Sequence, residues 1–201
     1  INKSLLNCHN KSSLSVNRAI RLNDISHEHV LRGKNLTHSI SFKHQSWGFK
    51  DPRTCLTYDF WNAVLPEHRI IVVYRHPAEV VNHYARWSKF RAIPIIIYKS
   101  IKSLTCWYQY NKEIINIIDN VKPDNVIIFN YKDLMKNKFE LIRLENFIHQ
   151  KIKDSRDPDK YRAKDTSSFL FILSMIYNKI FYKIDPFILY IKLENYKNRY
   201  I

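Results

Sequence analysis

Arg69-Ile70-Ile71-Val72-Val73-Tyr74, followed at once by Arg75-His76-Pro77-Ala78-Glu79, constrains the fold more than any other stretch of the chain. The β-branched run is too uniformly apolar for a strand with one wet face and predicts a strand of a parallel sheet covered on both sides. Pro77 and Glu79 suit the opening turn of a helix, where the missing proline N–H is not needed and a carboxylate meets the positive end of the dipole. That helix is expected to reach about Phe90. A second short apolar run, residues 126–129, follows a break at Pro123 and predicts a second strand. Between them Ile97, Ile101, Leu104, Trp107, Tyr108, Ile114, Ile115 and Ile118 recur at the three- and four-residue spacing of one helical face. Strands separated by helices imply crossover connections in an α/β sheet, with ligands expected beyond the carboxyl ends of the strands.

The flanks are less informative. Residues 1–45 are polar, with one helix expected over residues 14–31 and ended by Gly33 as a left-handed cap. Residues 46–49 read as a short extended piece that leads through Asp51-Pro52 into a helix over residues 54–64. Further helices are expected over residues 139–149 and 167–182, separated by a polar loop at 151–164. With 201 residues and 45% apolar content, one core and one domain are expected. Within it, residues 1–45 form a weakly patterned segment, 46–150 the core and 151–201 a helical extension. The most apolar run, residues 169–177, falls short of the roughly 20 residues a membrane helix needs and reads as a buried helix.

Lysine and arginine number 33 against 18 acidic residues, a net charge of +15 that attracts anions without choosing among nucleotides, sulfated sugars, nucleic acids and acidic membranes. Cys8, Cys55 and Cys106 are far apart, odd in number and without metal-ligand spacing. They fit a reducing, cytoplasmic setting or inert buried thiols, and no metal centre. No signal-peptide pattern follows Ile1, and the start reads as cut.

Arg75 ends the first strand and precedes a helix whose first amides are free in an isolated helix, so guanidinium and amides are placed to converge on one anionic group. The competing reading pairs Arg75 with a surface acid such as Glu79. The segment Tyr74-Arg75-His76-Pro77-Ala78-Glu79-Val80-Val81 resembles the 3′-phosphate-binding segment of bacterial-type sulfotransferases that use 3′-phosphoadenosine 5′-phosphosulfate. Three further segments agree with that family in order: Trp47-Gly48-Phe49-Lys50-Asp51-Pro52-Arg53-Thr54-Cys55, Trp107-Tyr108-Gln109-Tyr110-Asn111, and Asn130-Tyr131-Lys132-Asp133-Leu134.

The resemblance implies a P-loop-like α/β fold in which Arg75 holds the 3′-phosphate of the donor. His83 stands where the family usually has a serine sharing that phosphate, and Tyr131 matches a tyrosine near the nucleotide, followed here by Lys132 instead of glutamate. It further implies the phosphosulfate as donor co-substrate, a hydroxyl acceptor of carbohydrate type and no metal. Sulfuryl transfer needs an aligned acceptor, cations for the charge developing on the bridging oxygen, and a base. Asp51 is the candidate base and Lys50 or Arg53 the electrostatic stabiliser. Against that role, Asp51 before Pro52 also reads as a helix cap, and two adjacent cations favour its carboxylate and make it a weak base.

Glycine occurs only at Gly33 and Gly48, so the Gly-rich phosphosulfate loop, which the family places near its N-terminus ahead of these segments, is expected to be missing, and the chain reads as a fragment or degenerate copy. Two other classes stay open at this point: a non-catalytic nucleotide- or polyanion-binding protein, and a nucleic-acid-binding module. Nucleic acid and membrane are the less expected partners.

Overall fold

A computed structural model describes residues 1–8, 19–86, 92–158 and 169–199. These pack as two compact units, Ile1–His68 and Arg69–Ile201. The first part of the helix expected over residues 14–31 and the end of the one expected to reach Phe90 lie outside the described residues.

The first unit is helical. Helix α1 (Asn2–Cys8), a 3₁₀ turn (Leu22–Asp24), α2 (His27–Lys43), a second 3₁₀ turn (Pro52–Leu56) and α3 (Tyr58–Val64) follow in order. Leu5, Leu6, Ile20, Leu56, Phe60 and Val64 form its apolar interior. Asn2 is buried among them with both ends of its amide engaged. Its Oδ1 accepts from Thr57 Oγ1 at 2.9 Å and Trp61 Nε1 at 2.7 Å, and its Nδ2 donates to Thr54 Oγ1 at 3.2 Å. Such satisfaction offsets the cost of burying a polar group.

Gly33 does not end a helix. It lies inside α2, which runs ten residues further to Lys43, and no glycine has positive φ. What it supplies is room: a Cβ there would stand 2.5 Å from Cζ of the fully buried Phe60 and 3.1 Å from Val64 Cγ1. Residues 47–49 likewise form no strand; Phe49 packs on Trp61 with ring centroids 4.5 Å apart, and Trp47 Nε1 donates to Ser41 Oγ at 3.0 Å. Aromatic packing takes the place of a ladder.

The second unit carries the sheet: β1 (Ile70–Tyr74), α4 (Pro77–Arg86), α5 (Ile93–Asn120), a 3₁₀ turn (Pro123–Asn125), β2 (Val126–Asn130), α6 (Tyr131–Lys136), α7 (Lys138–Ile148), α8 (Phe169–Phe181) and α9 (Pro186–Arg199). The two strands pair in parallel, Ile70 opposite Val126 through Tyr74 opposite Asn130, with α4 and α5 as the crossover. Val72, Tyr74, Trp107, Ile115, Ile118, Val126, Ile128 and Leu193 close the core.

Two expectations change here. All of β2 is buried, but β1 alternates, and Ile71 and Val73 are 47% and 44% exposed, so only one of its faces is covered. Among the described residues the sheet has two strands, and β1 pairs with β2 alone. The overall class is thus α/β and mostly helical, around a small parallel sheet.

Helix α8 is not buried all round either. Phe169, Ile172, Ile176 and Ile180 are exposed on one side, whereas Asn178 is wholly buried. Asn178 Oδ1 accepts from Thr105 Oγ1 at 2.8 Å, and its Nδ2 donates to the Ser174 carbonyl at 2.9 Å and the Ile101 carbonyl at 3.3 Å. The polar residue that interrupts the apolar run is what fastens α8 to α5.

Candidate functional site

The parallel register builds the site directly. Tyr74 faces Asn130 at the last rung, so Arg75 and Tyr131, the residues that follow each strand, emerge side by side. The Arg75 guanidinium carbon lies 3.8 Å from the centroid of the Tyr131 ring, a face-on cation–π contact. The Arg75 backbone is anchored as well, its carbonyl accepting from Trp107 Nε1 at 3.0 Å. Trp107 is a core residue of α5, so the long helix holds the turn that presents the arginine. Stacking occupies one face of the guanidinium and leaves its N–H edge in plane, the geometry that grips a phosphate in bidentate fashion.

The first amides of α4 are already committed. Pro77 has none, Ala78 N donates to His76 Nδ1 at 3.2 Å, and Glu79 N donates to the His76 carbonyl at 3.0 Å. The guanidinium and these amides are therefore not arranged to converge on one anion. His76 serves as the cap, and burial pushes its pKa below the usual value despite Glu79 and Glu194 nearby. His83 lies two turns into α4, half-buried, with its ring edge-on to Tyr84 at 5.6 Å.

Under the ends of both strands lies a polar cluster contributed by α9. Asn130 Oδ1 accepts from Lys132 N at 3.0 Å, capping α6, while its Nδ2 donates to Glu194 Oε1 at 2.7 Å and reaches Tyr190 Oη at 3.4 Å. Lys197 Nζ lies 2.5 Å from Asp133 Oδ2 and 3.5 Å from Glu194 Oε2. Burial opposes ionisation of Glu194, yet hydrogen bonds from Tyr190 and Asn130, with Lys197 beside it, hold its pKa below the usual range. Tyr74 and Tyr190 are pushed well above the ordinary phenol value, first by burial and then by Glu194. The Tyr74 hydroxyl is buried next to Glu194 and Asn130 without completing a hydrogen bond to either.

Sequence reasoning missed the α9 contribution. The available signal was the spacing of Tyr190, Leu193, Glu194 and Lys197, one helical face mixing a core leucine with three polar groups.

Lys50, Asp51 and Arg53 belong to the first unit. Asp51 caps the 3₁₀ turn, accepting from Arg53 N at 2.9 Å, and pairs with the same side chain through Nε at 2.9 Å and Nη2 at 2.6 Å. The hydrogen bonds from Arg53 hold the Asp51 carboxyl down at about 2. This is the cap arrangement, and it makes Asp51 a poor proton acceptor near neutrality. Lys50 is exposed. Among the described residues no group of three or more His, Cys, Asp or Glu side chains is placed to hold a metal ion, and no helix is long and apolar enough to cross a membrane.

A family model described as the sulfotransferase family matches residues 5–148, well over half of the chain. The chain belongs to the sulfotransferase family. It matches no curated protein and no solved structure. The sulfotransferase match begins some forty residues before Trp47, the start of the first segment that resembles the family, and so takes in most of the helical first unit. It ends at Ile148, the last residue of α7, which leaves α8 and α9 beyond it.

Proposed function

We propose that this sulfotransferase transfers a sulfuryl group from 3′-phosphoadenosine 5′-phosphosulfate to a hydroxyl acceptor of carbohydrate type, with Arg75 holding the 3′-phosphate of the donor. The observation that carries the reading is the Arg75 guanidinium, anchored at the end of β1 and stacked on Tyr131 at the end of β2. Tyr131 orients the guanidinium, and His83 is the further candidate for the phosphate. In the reaction the acceptor oxygen forms a bond to sulfur as the bond from sulfur to the bridging phosphate oxygen breaks, and the acceptor proton leaves to a base. Lys50 or Arg53 is the proposed stabiliser of the charge on the departing oxygen. Asp51, held as a carboxylate by Arg53, supports Arg53 in that role more readily than it removes a proton.

The test is calorimetric titration with 3′-phosphoadenosine 5′-phosphate, using adenosine 5′-phosphate and Arg75→Ala as controls. Saturable binding that weakens about 10- to 100-fold on loss of either the 3′-phosphate or Arg75 is expected, the worth of charge-assisted hydrogen bonds. Equal affinity for both nucleotides would overturn the assignment of Arg75. Binding without turnover of the phosphosulfate in the presence of hydroxyl acceptors would place the chain among non-catalytic nucleotide binders.

A further inference from the structure

Helix α9 lies wholly beyond the residues that match the sulfotransferase family, yet it reaches the strand ends that carry Arg75 and Tyr131. Leu193 is fully buried in the core with Val72, Tyr74, Trp107 and Ile128, which fixes the helix against the sheet. Two successive helical turns present Tyr190, Glu194 and Lys197 on the same side. Each meets a group at the end of a strand or the start of α6: Tyr190 the ring of His76 at 4.7 Å, Glu194 the Asn130 amide, and Lys197 the Asp133 carboxylate.

The chain of contacts runs in one direction toward the site. Glu194 Oε1 accepts from Asn130 Nδ2 at 2.7 Å, which fixes which end of that amide faces α6. Asn130 Oδ1 is thereby turned to Lys132 N, 3.0 Å away, and caps α6. The first residue of the helix so capped is Tyr131, whose ring lies under the Arg75 guanidinium. An asparagine amide can turn over and offer N–H where oxygen is needed, and a neighbouring acceptor that accepts only from the N–H end removes this freedom.

We infer that Glu194 is a positioning residue for the anion site, locking the Asn130 amide so that α6 starts where Tyr131 supports Arg75. The site is on this view completed from a helix outside the family-matched region. Lys197 shares the task by holding Asp133 in the first turn of α6. The inference rests on the proposed donor site for its consequence in binding, but its structural content concerns Arg75 and Tyr131 alone.

The experiment therefore uses two readouts on the full chain. The first is the ring-current shift of the Arg75 side-chain protons by NMR, which reports the stack without ligand. The second is affinity for 3′-phosphoadenosine 5′-phosphate. Glu194→Ala is expected to lose most of the ring-current shift and to weaken binding about tenfold, the scale of one buried charge-assisted hydrogen bond. Glu194→Gln, which keeps an acceptor oxygen, is expected to retain the shift and stay within about twofold of wild type in affinity.

Asn130→Asp keeps the cap oxygen but sets oxygen against oxygen across the 2.7 Å contact, and should behave like Glu194→Ala. Adding Glu194→Gln to it restores a donor and an acceptor and should recover the shift, a result general loss of packing would not give. This pair also keeps the inference testable if Glu194→Ala fails to fold. Retention of the shift in Glu194→Ala or in Asn130→Asp would overturn it, as would failure of the double variant to recover. A wild-type chain that shows the shift but does not bind the nucleotide would sink the donor-site reading and leave the positioning inference to stand or fall on the shift.

Discussion

Arg75 and His76 are adjacent in the chain but have opposite requirements for charge. Arg75 acts as a permanent cation, whereas His76 must keep Nδ1 unprotonated to accept from Ala78 N and cap α4. Burial favours this neutral form, with Lys132 acting the same way and Glu79 and Glu194 opposing. The folded pKa thus lies below the ordinary 6.5, so the unfolded chain binds the proton first. The contribution to stability is complete above that value and is lost as pH falls through 6.5 toward the folded pKa. Denaturant unfolding followed from about pH 8 to pH 5 should show the loss in wild type, and His76→Asn, whose neutral amide oxygen can still cap, should lack that component. Identical pH profiles for the two proteins would show that the cap does not depend on the protonation of His76.

At the scale of elements, close contacts replace the signals by which helices are usually read. Gly33 lies within α2, not at its end, because Phe60 of α3 occupies the space a side chain would need. Two effects compete on substitution by alanine. Helix propensity favours alanine by about 1 kcal/mol, while forcing a methyl into a closed core costs about 1–3 kcal/mol. Phe60 is fully buried and has nowhere to retreat, so the steric term should win. Gly33→Ala is expected to destabilise the first unit by up to about 2 kcal/mol net, read as a lower denaturation midpoint at unchanged slope. A more stable variant would show that α2 can shift away from α3. Asn178 makes the same point in α8, where a polar residue lies on the buried face and isoleucines line the exposed one.

For the whole molecule, the division into two units gives a test of what the sheet needs. The core of the second unit is assembled from residues of α5, α9 and both strands, all within Arg69–Ile201. Half of β1 contributes nothing to that core, since Ile71 and Val73 point away from it and remain largely exposed. Residues 69–201 expressed alone should nevertheless fold, giving a dispersed NMR spectrum and one cooperative unfolding transition, because contiguous apolar burial and both strands are retained. A collapsed chain without cooperative unfolding would show that this core depends on the first unit. The net charge of +15 also predicts association with polyanions that weakens steeply with salt. Nucleotide binding through Arg75 should be distinguishable by its requirement for the 3′-phosphate.

Local chemistry determined the parts of this sulfotransferase that repeat a period or punctuate one. The β-branched run 70–74, Pro77 at the head of α4, the long apolar face of α5 and the strand after Pro123 were all legible, because hydrophobic periodicity and proline act over a few residues. Arg75 and Tyr131 were also legible as single residues at strand ends. Their stacking was not, since it follows from the register between strands more than fifty residues apart. The helical position of Gly33 and the exposed face of β1 depended on which neighbour occupies the adjoining space, whereas the capping of the α4 amides by His76 is local. The contribution of Glu194 lay furthest from the sequence pattern: a glutamate on an ordinary amphipathic helix becomes part of the site only when Leu193 docks that helix on the strand ends. Pattern reports what a segment buries, and only packing in three dimensions decides against what it is buried.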